Sequence, residues 1–168
     1  MRRLSDLIPY PRRPAVTVRA GAGDEDLEIC SELETLAGGV TVDSAGWSPQ
    51  FVCRIAYLRG DAAGYLLSDP AGPFRRVYRV VVLPEYRRLG VGRALVEHAQ
   101  AAVTGGVGRC RGLDAAVPEA DTASLVFLRR CGFLAVSHDD KRPDGPRISG
   151  GKVRLRWLAP VCHTDWGM

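Results

Sequence analysis

The stretch that decides the fold is VYRVVVLPEYRRLGVGRALVEHAQ, residues 77–100. It opens on a valine-rich run with apolar side chains on both faces, as a central strand requires. Pro84 ends that strand. The chain then turns through Arg87-Arg88-Leu89-Gly90-Val91-Gly92. From Val91, apolar residues recur at Ala94, Leu95, Ala99 and Ala102, with His98 on the same stripe, so the spacing predicts an amphipathic helix. The first N–H groups of a helix have no internal acceptor, and the helix dipole favours negative charge beside them. Glycines let main chain approach an anion with no Cβ in the way, and Arg87, Arg88 and Arg93 can add charge-assisted bonds. Strand, glycine-rich turn and helix start together make a cradle for phosphate or pyrophosphate. The plainer alternative is a tight turn that happens to carry surface arginines. A P-loop would need a Lys-Ser/Thr pair after its last glycine, and none is present. A dinucleotide fingerprint would need a third glycine where Leu95 stands and an acid at the end of a second parallel strand; Asp114 is about the right distance on but lies inside its strand.

Outward from this core the pattern is regular. AVTVRA (15–20) alternates like a first strand, and Gly23-Asp24-Glu25-Asp26 opens a helix whose stripe is Leu27, Cys30, Leu33 and Leu36, stopped at Gly38-Gly39. Residues 40–50 read as a loop or one more short helix. FVCRIAYL and AAGYLLS flank Gly60-Asp61, a tight hairpin, and RRVYRVVVL (75–83) follows as the central strand. After the helix, TGGVG (104–108) leads to a strand GLDAAV (112–117) and a helix TASLVFLRRC (122–131) ended by Gly132. FLAVSH and GKVRLRWLA form a last antiparallel pair around the turn-rich KRPDGPRISGG. The order βαβββαβαββ predicts one mixed α/β domain over 15–160, with a mobile basic arm at 1–14 and a tail at 161–168.

With 168 residues, 46% hydrophobic and 25% charged, the chain has globular composition, which excludes wholesale disorder. Its apolar runs, such as Val80 to Leu83, fall far short of the roughly 20 residues a membrane helix needs. The net charge of +4 is uneven. Residues 21–50 carry seven acids and no Lys or Arg, whereas 51–168 carry 18 basic residues against 11 acids. An anionic ligand would fit the second region. The five cysteines, at 30, 53, 110, 131 and 162, make no CxxC pair and no zinc spacing with the three histidines. They read as reduced thiols of a cytoplasmic protein without a metal. The arginines of the arm read as a solvated tail, and without an aromatic platform nucleic acid is not the expected partner.

Val82-x-Pro84-x-Tyr86-Arg87-x-x-Gly90-x-Gly92, followed by an amphipathic helix, resembles the central motif of the GNAT superfamily of acyl-CoA-dependent N-acyltransferases. Cys131-Gly132-Phe133 at the end of the second long helix is similar to that family's helix-then-Gly-Phe signature. The resemblance implies a mixed, mostly antiparallel sheet splayed between its fourth and fifth strands and flanked by helices. It implies acetyl-CoA, or another acyl-CoA, as co-substrate. Val81, Val82 and Leu83 would pair with the pantetheine arm, while the amides of Arg88, Leu89, Gly90, Val91, Gly92 and Arg93 would hold the pyrophosphate with Arg87 beside them. Asp121, Ser124 and Leu128, on the helix whose start and middle the family uses, complete the implied donor site. The implied reaction is direct attack of a primary amine, of a small molecule or a peptide, on the thioester in a ternary complex. A homodimer is compatible with such a domain.

The family's usual acid and base are not in place. Its second helix commonly begins with Asn and carries a Tyr four residues before the Gly-Phe pair; these positions are Asp121 and Leu128 here. The family's Glu near the start of the fourth strand falls in a region that reads Arg75-Arg76. Either proximity, water and a good leaving thiol suffice, or replacements come from Tyr78, Glu85, Ser124 or an acid in 28–43. A non-catalytic acyl-CoA-binding or regulatory module is the alternative from another class. His98 reads as a packed histidine, Cys131 as core, and Trp157 as core, while Trp47 and Trp166 are candidates for an acceptor pocket. The acidic first helix, Asp24, Glu25, Asp26, Glu28, Glu32 and Glu34, together with Asp43, would steer a cationic acceptor, or is simply a solvated face.

Overall fold

The computed structural model describes residues 15–21, 23–38, 51–69, 72–105, 110–136 and 151–160. The expected arm, tail, 40–50 segment and turn-rich 141–150 connection lie outside them, as do Trp47, Trp166, His138, His163 and Cys162. The elements follow the expected order: β1 (Val16–Gly21), α1 (Asp24–Leu36), β2 (Val52–Leu58), β3 (Asp61–Ser68), β4 (Phe74–Val82), α2 (Val91–Thr104), β5 (Gly112–Pro118), α3 (Thr122–Arg130), β6 (Leu134–Ala135) and β7 (Lys152–Leu158). They build a seven-stranded sheet in the order β1-β2-β3-β4-β5-β7-β6. Its neighbours are antiparallel except β4 and β5, which run parallel.

The sheet buries both faces, and side-chain alternation sorts the core in two. Ala56, Leu58, Leu66, Val77, Leu113, Ala115 and Leu155 pack with Val91, Leu95, Val96, Ala99 and Val103 of α2 and Leu128 of α3. On the other face Cys53, Ile55, Tyr65, Leu67 and Leu83 pack with Cys30 and Leu33 of α1. Trp157 is half-buried against the first of these clusters. Cys30, Cys53, Cys110 and Cys131 are all free thiols.

Two local details differ from the sequence reading. The β2–β3 hairpin turns on Arg59-Gly60, one residue earlier than Gly60-Asp61, because Leu58 pairs with Asp61. Both turn residues have positive φ, 57° and 98°, the handedness that a two-residue loop needs to match strand twist. In β4 the register against β3 shifts between Leu67 and Ser68, which pair with Arg79 and Val77, so Tyr78 is bulged out of the ladder.

Candidate functional site

Strands β4 and β5 stay together for only four residues, Phe74 to Val77 against Gly112 to Ala115. Beyond Val77 they part, while β4 remains paired with β3 as far as Val82. One edge of β4 therefore faces an opening, and strand geometry decides which groups it presents. The Leu83 N–H donates to the Ala63 carbonyl at 3.0 Å. Main-chain groups alternate in direction along an antiparallel strand, so those of Val81 and Leu83 point to β3 and those of Val80 and Val82 point into the opening. This corrects the sequence reading: of Val81, Val82 and Leu83, only Val82 offers its main chain to the opening, and Val80 joins it. The Val82 carbonyl accepts a bond from Arg87 Nε at 3.2 Å, which ties the following turn to the strand end.

The turn itself leaves a run of donors unused. After Pro84 the chain makes one 3-10 turn, with Tyr86 N–H bonding the Leu83 carbonyl and Arg87 N–H the Pro84 carbonyl. It then reverses with Arg88 at φ 64° and Gly90 at φ 93°. A left-handed arginine costs on the order of 1 kcal/mol and is a common mark of a functional turn. The first bond of α2 runs from Ala94 N–H to the Gly90 carbonyl at 2.9 Å. Between these points, the six amides of Arg88 to Arg93 donate to no acceptor among the described residues.

Space and charge around the turn are equally open. A Cβ on Gly90 would meet nothing within 4 Å. Arg87 and Arg88 are exposed, while Arg93 is held along the helix by Glu97 at 2.6 Å. A Cβ on Gly92 would lie 3.2 Å from the Phe127 ring and 3.5 Å from Val82. That glycine therefore lets α3 close against the helix start at the end of the opening.

The other candidate residues are less concentrated. Asp121 caps α3, its Oδ1 accepting from Ser124 N–H at 3.0 Å, and the bonds from Ser124 hold its carboxyl below the usual range. Ser124 lies on the same face of α3 as Phe127 and Leu128. Leu128 is buried in the main core and has no polar atom to offer. Tyr78 is exposed, packs against Phe51 in a tilted arrangement with ring centroids 4.9 Å apart, and donates to Asp69 at 3.0 Å. Burial and that bond raise its pKa, so it stays protonated. Glu85 is exposed in the 3-10 turn. Cys131 is half-buried, and burial raises its thiol pKa, which leaves it a poor nucleophile.

From the acids between 28 and 43, the structure brings Glu34 to the sheet. It is buried, and it accepts from Tyr65 Oη and from Arg79, whose side chain is 42% exposed. Burial pushes the Glu34 carboxyl up, but the bonds from Arg79 and Tyr65 outweigh it and the net shift is downward. Asp114 is likewise bound, to Arg154 at 2.6 Å and Arg156 at 2.8 Å, so it serves the β5–β7 pair. Among the described residues no group of three His, Cys, Asp or Glu side chains could hold a metal, and no helix is long and apolar enough to cross a membrane.

Comparison with known proteins places this geometry. A model of the acetyltransferase (GNAT) family matches residues 25–133. No curated protein matches the chain in sequence. Among solved structures, a candidate GNAT-family acetyltransferase from Desulfovibrio desulfuricans is similar with a TM-score of 0.67 at 20% identity, covering 87% of this chain and 100% of its own. The ribosomal-protein-S18-alanine N-acetyltransferase of Escherichia coli is similar with a TM-score of 0.66 at 18% identity, covering 92% and 99%. A candidate streptothricin acetyltransferase of Bacillus anthracis, solved in complex with acetyl coenzyme A, is similar over 66% of this chain and 62% of its own, with a TM-score of 0.51 at 22% identity.

Proposed function

The chain belongs to the GNAT family of acetyltransferases, and on that premise we propose that it transfers an acyl group, acetyl by default, from acyl-CoA to a primary amine within a ternary complex. The observation that carries this reading is the run of six unpartnered amides from Arg88 to Arg93, set beside the open edge of β4. A pyrophosphate would take the amides, with Arg87 and Arg88 adding charge. The pantetheine arm would lie along Val80 and Val82 like an added strand, between β4 and β5. Phe127 of α3 reaches that opening beside Gly92 and Val82, and Ser124 and Leu128 share its helix face, with Asp121 at the helix start. The Bacillus structure, with acetyl coenzyme A bound to a related fold, supports the same donor. We assign the activity to one domain spanning 15–160 and place it in the cytoplasm, in keeping with the free thiols.

The acceptor is a small or peptide amine; the named neighbours include an enzyme of each kind. Of the acids in α1, Asp26 is spent on Arg19 and Glu34 on Arg79, which leaves Asp24, Glu25, Glu28 and Glu32 exposed to attract a cation. Attack requires the neutral amine, and its proton leaves to water. Tyr78 is engaged with Asp69, Asp121 with Ser124, and Glu34 with Arg79, which favours catalysis by orientation over a dedicated acid–base pair. Tyr78→Phe, Glu85→Gln and Ser124→Ala are each expected to lower kcat less than about tenfold. A loss beyond about a hundredfold in one of them, with acetyl-CoA binding intact, overturns the orientation account.

Calorimetric titration with acetyl-CoA, free CoA and a longer acyl-CoA, followed by thiol release on a panel of primary amines, tests the whole reading. Donor binding with amine-dependent CoA release is the expected result. Binding without turnover on any amine would favour a non-catalytic acyl-CoA module, which the buried Leu128 at the usual acid position also suits. A folded protein that binds no CoA species overturns both.

A further inference from the structure

Two turns along α2 from Gly90, about 12 Å away at 1.5 Å per residue, basic side chains gather with no acid bonded to them among the described residues. Arg54 stands on β2 and shares the α2 face of the sheet with Ala56. It is 3% exposed, and among the described residues its one hydrogen-bond partner is Ser68, whose Oγ accepts from Nη1 at 2.9 Å. Its Nε is buried and, among the described residues, bonds nothing. The same holds for Arg75 Nε on β4 and for His98 Nδ1 on α2. Strand register sets the two arginines around Ser68, which pairs with Val52 and Val77, each two residues from Arg54 or Arg75 and so on the same face. Burial and then the Arg75 charge lower the Arg54 pKa, and burial and then the Arg54 charge lower that of His98. Among the described residues, no Asp or Glu forms a hydrogen bond or ion pair with any of them.

A buried guanidinium without a counter-charge is one of the costliest arrangements a core can hold, and a second cation beside it adds to the cost. Negative charge is the element that would complete the cluster. We propose that Arg54, Ser68, Arg75 and His98 form an anion site on the α2 face of the sheet, distinct from the turn at Arg88 to Arg93, that takes a small tetrahedral oxyanion of the phosphate or sulfate kind. The unused donors come from two strands and a helix rather than from one arginine fork, which is the pairing a planar carboxylate takes. His98, neutral at pH 7, donates from Nδ1 in one of its tautomers. The bound ion would pin α2 to β2 and β4.

Thermal unfolding in sodium phosphate or sulfate, against sodium chloride at matched ionic strength, tests the site. Wild type and Gly90→Asp, which blocks the other anion cradle, should both show a saturable rise of about 3–5 °C at tenfold excess over the dissociation constant. Arg54→Met, which keeps the apolar stem, and the half-buried Arg75→Gln should lose the rise while keeping a cooperative unfolding transition in chloride. An equal rise in chloride, an undiminished rise in the Arg54 and Arg75 variants, or a rise that disappears in Gly90→Asp overturns the proposal. Should Arg54→Met fail to fold, Arg75→Gln alone decides. Because the readout is stability, its outcome is independent of whether the amine acceptor or the donor reading holds.

Discussion

Gly90→Asp is expected to abolish acetyl-CoA binding, with a fall in affinity of at least a hundredfold and no loss of the folded state. The position has φ 93° and open space ahead of it, so a new side chain projects beside the six free amides without meeting protein. A carboxylate there would oppose the pyrophosphate of the proposed donor directly. Like charges about 4 Å apart repel by about 4 kcal/mol at an effective dielectric of 20, which is enough for two to three powers of ten. Backbone strain is a competing explanation, because any L-residue at this φ is disfavoured. Gly90→Asn separates the two, since Asn shares the backbone cost and carries no charge. The expected order by calorimetry is wild type, then Asn with a loss of less than about tenfold, then Asp with no measurable binding. Equal losses for Asn and Asp would mean that turn geometry, not charge, governs the site, and unchanged binding in both would move the donor elsewhere.

The strand, turn and helix of the proposed cradle were legible in the sequence because their signals are local. A valine run, a proline stop, two glycines and a 3.6-residue stripe fix strand, turn and helix within 24 residues. The groups that line the opening were less so. That Val80 and Val82, rather than Val81 and Leu83, present their main chain depends on the register against β3, which side-chain pattern does not encode. The one-residue slip of the β2–β3 hairpin has a similar origin, since nothing in Arg59 announces that it accepts a positive φ.

Charge pairing was hidden for a different reason. Glu34 sits beside the apolar stripe of α1 and reads as part of an acidic face, yet its partners Tyr65 and Arg79 are 31 and 45 residues away. Arg54 reads as the polar position of an alternating strand, and only the crossing of α2 over β2 seals it. Such pairings decide which acids remain to steer an amine, and their effect here is to narrow the acidic surface of α1 to its outward side.

Asp114 carries the largest expected effect on stability. It is 7% exposed in β5, and it binds Arg154 Nη2 at 2.6 Å and Arg156 Nε at 2.8 Å from the neighbouring β7. The Arg156 guanidinium also lies 4.0 Å from the Phe74 ring, which seats it between β4 and β7. Since β5 holds β4 over only four residues, its position rests largely on β7 and on this pair of ion bonds. Removing one partner of a buried ion pair costs about 3–5 kcal/mol, because the other charge stays desolvated. Asp114→Asn, which preserves shape, is therefore expected to lower Tm by about 6–12 °C. Burial raises the Asp114 carboxyl pKa, but the bonds from Arg156 and Arg154 outweigh it, and the folded value lies below the usual 3.8. The unfolded chain therefore binds the proton first as pH falls. The stabilisation is fully present above about pH 4 and is lost on descending through the folded value. Asp114→Asn should accordingly unfold with a shallower acid dependence than wild type, Glu34 and the capping Asp121 contributing to what remains. A fall in Tm under about 2 °C, with an unchanged acid limb, would show that β5 and β7 are held by their ladder alone.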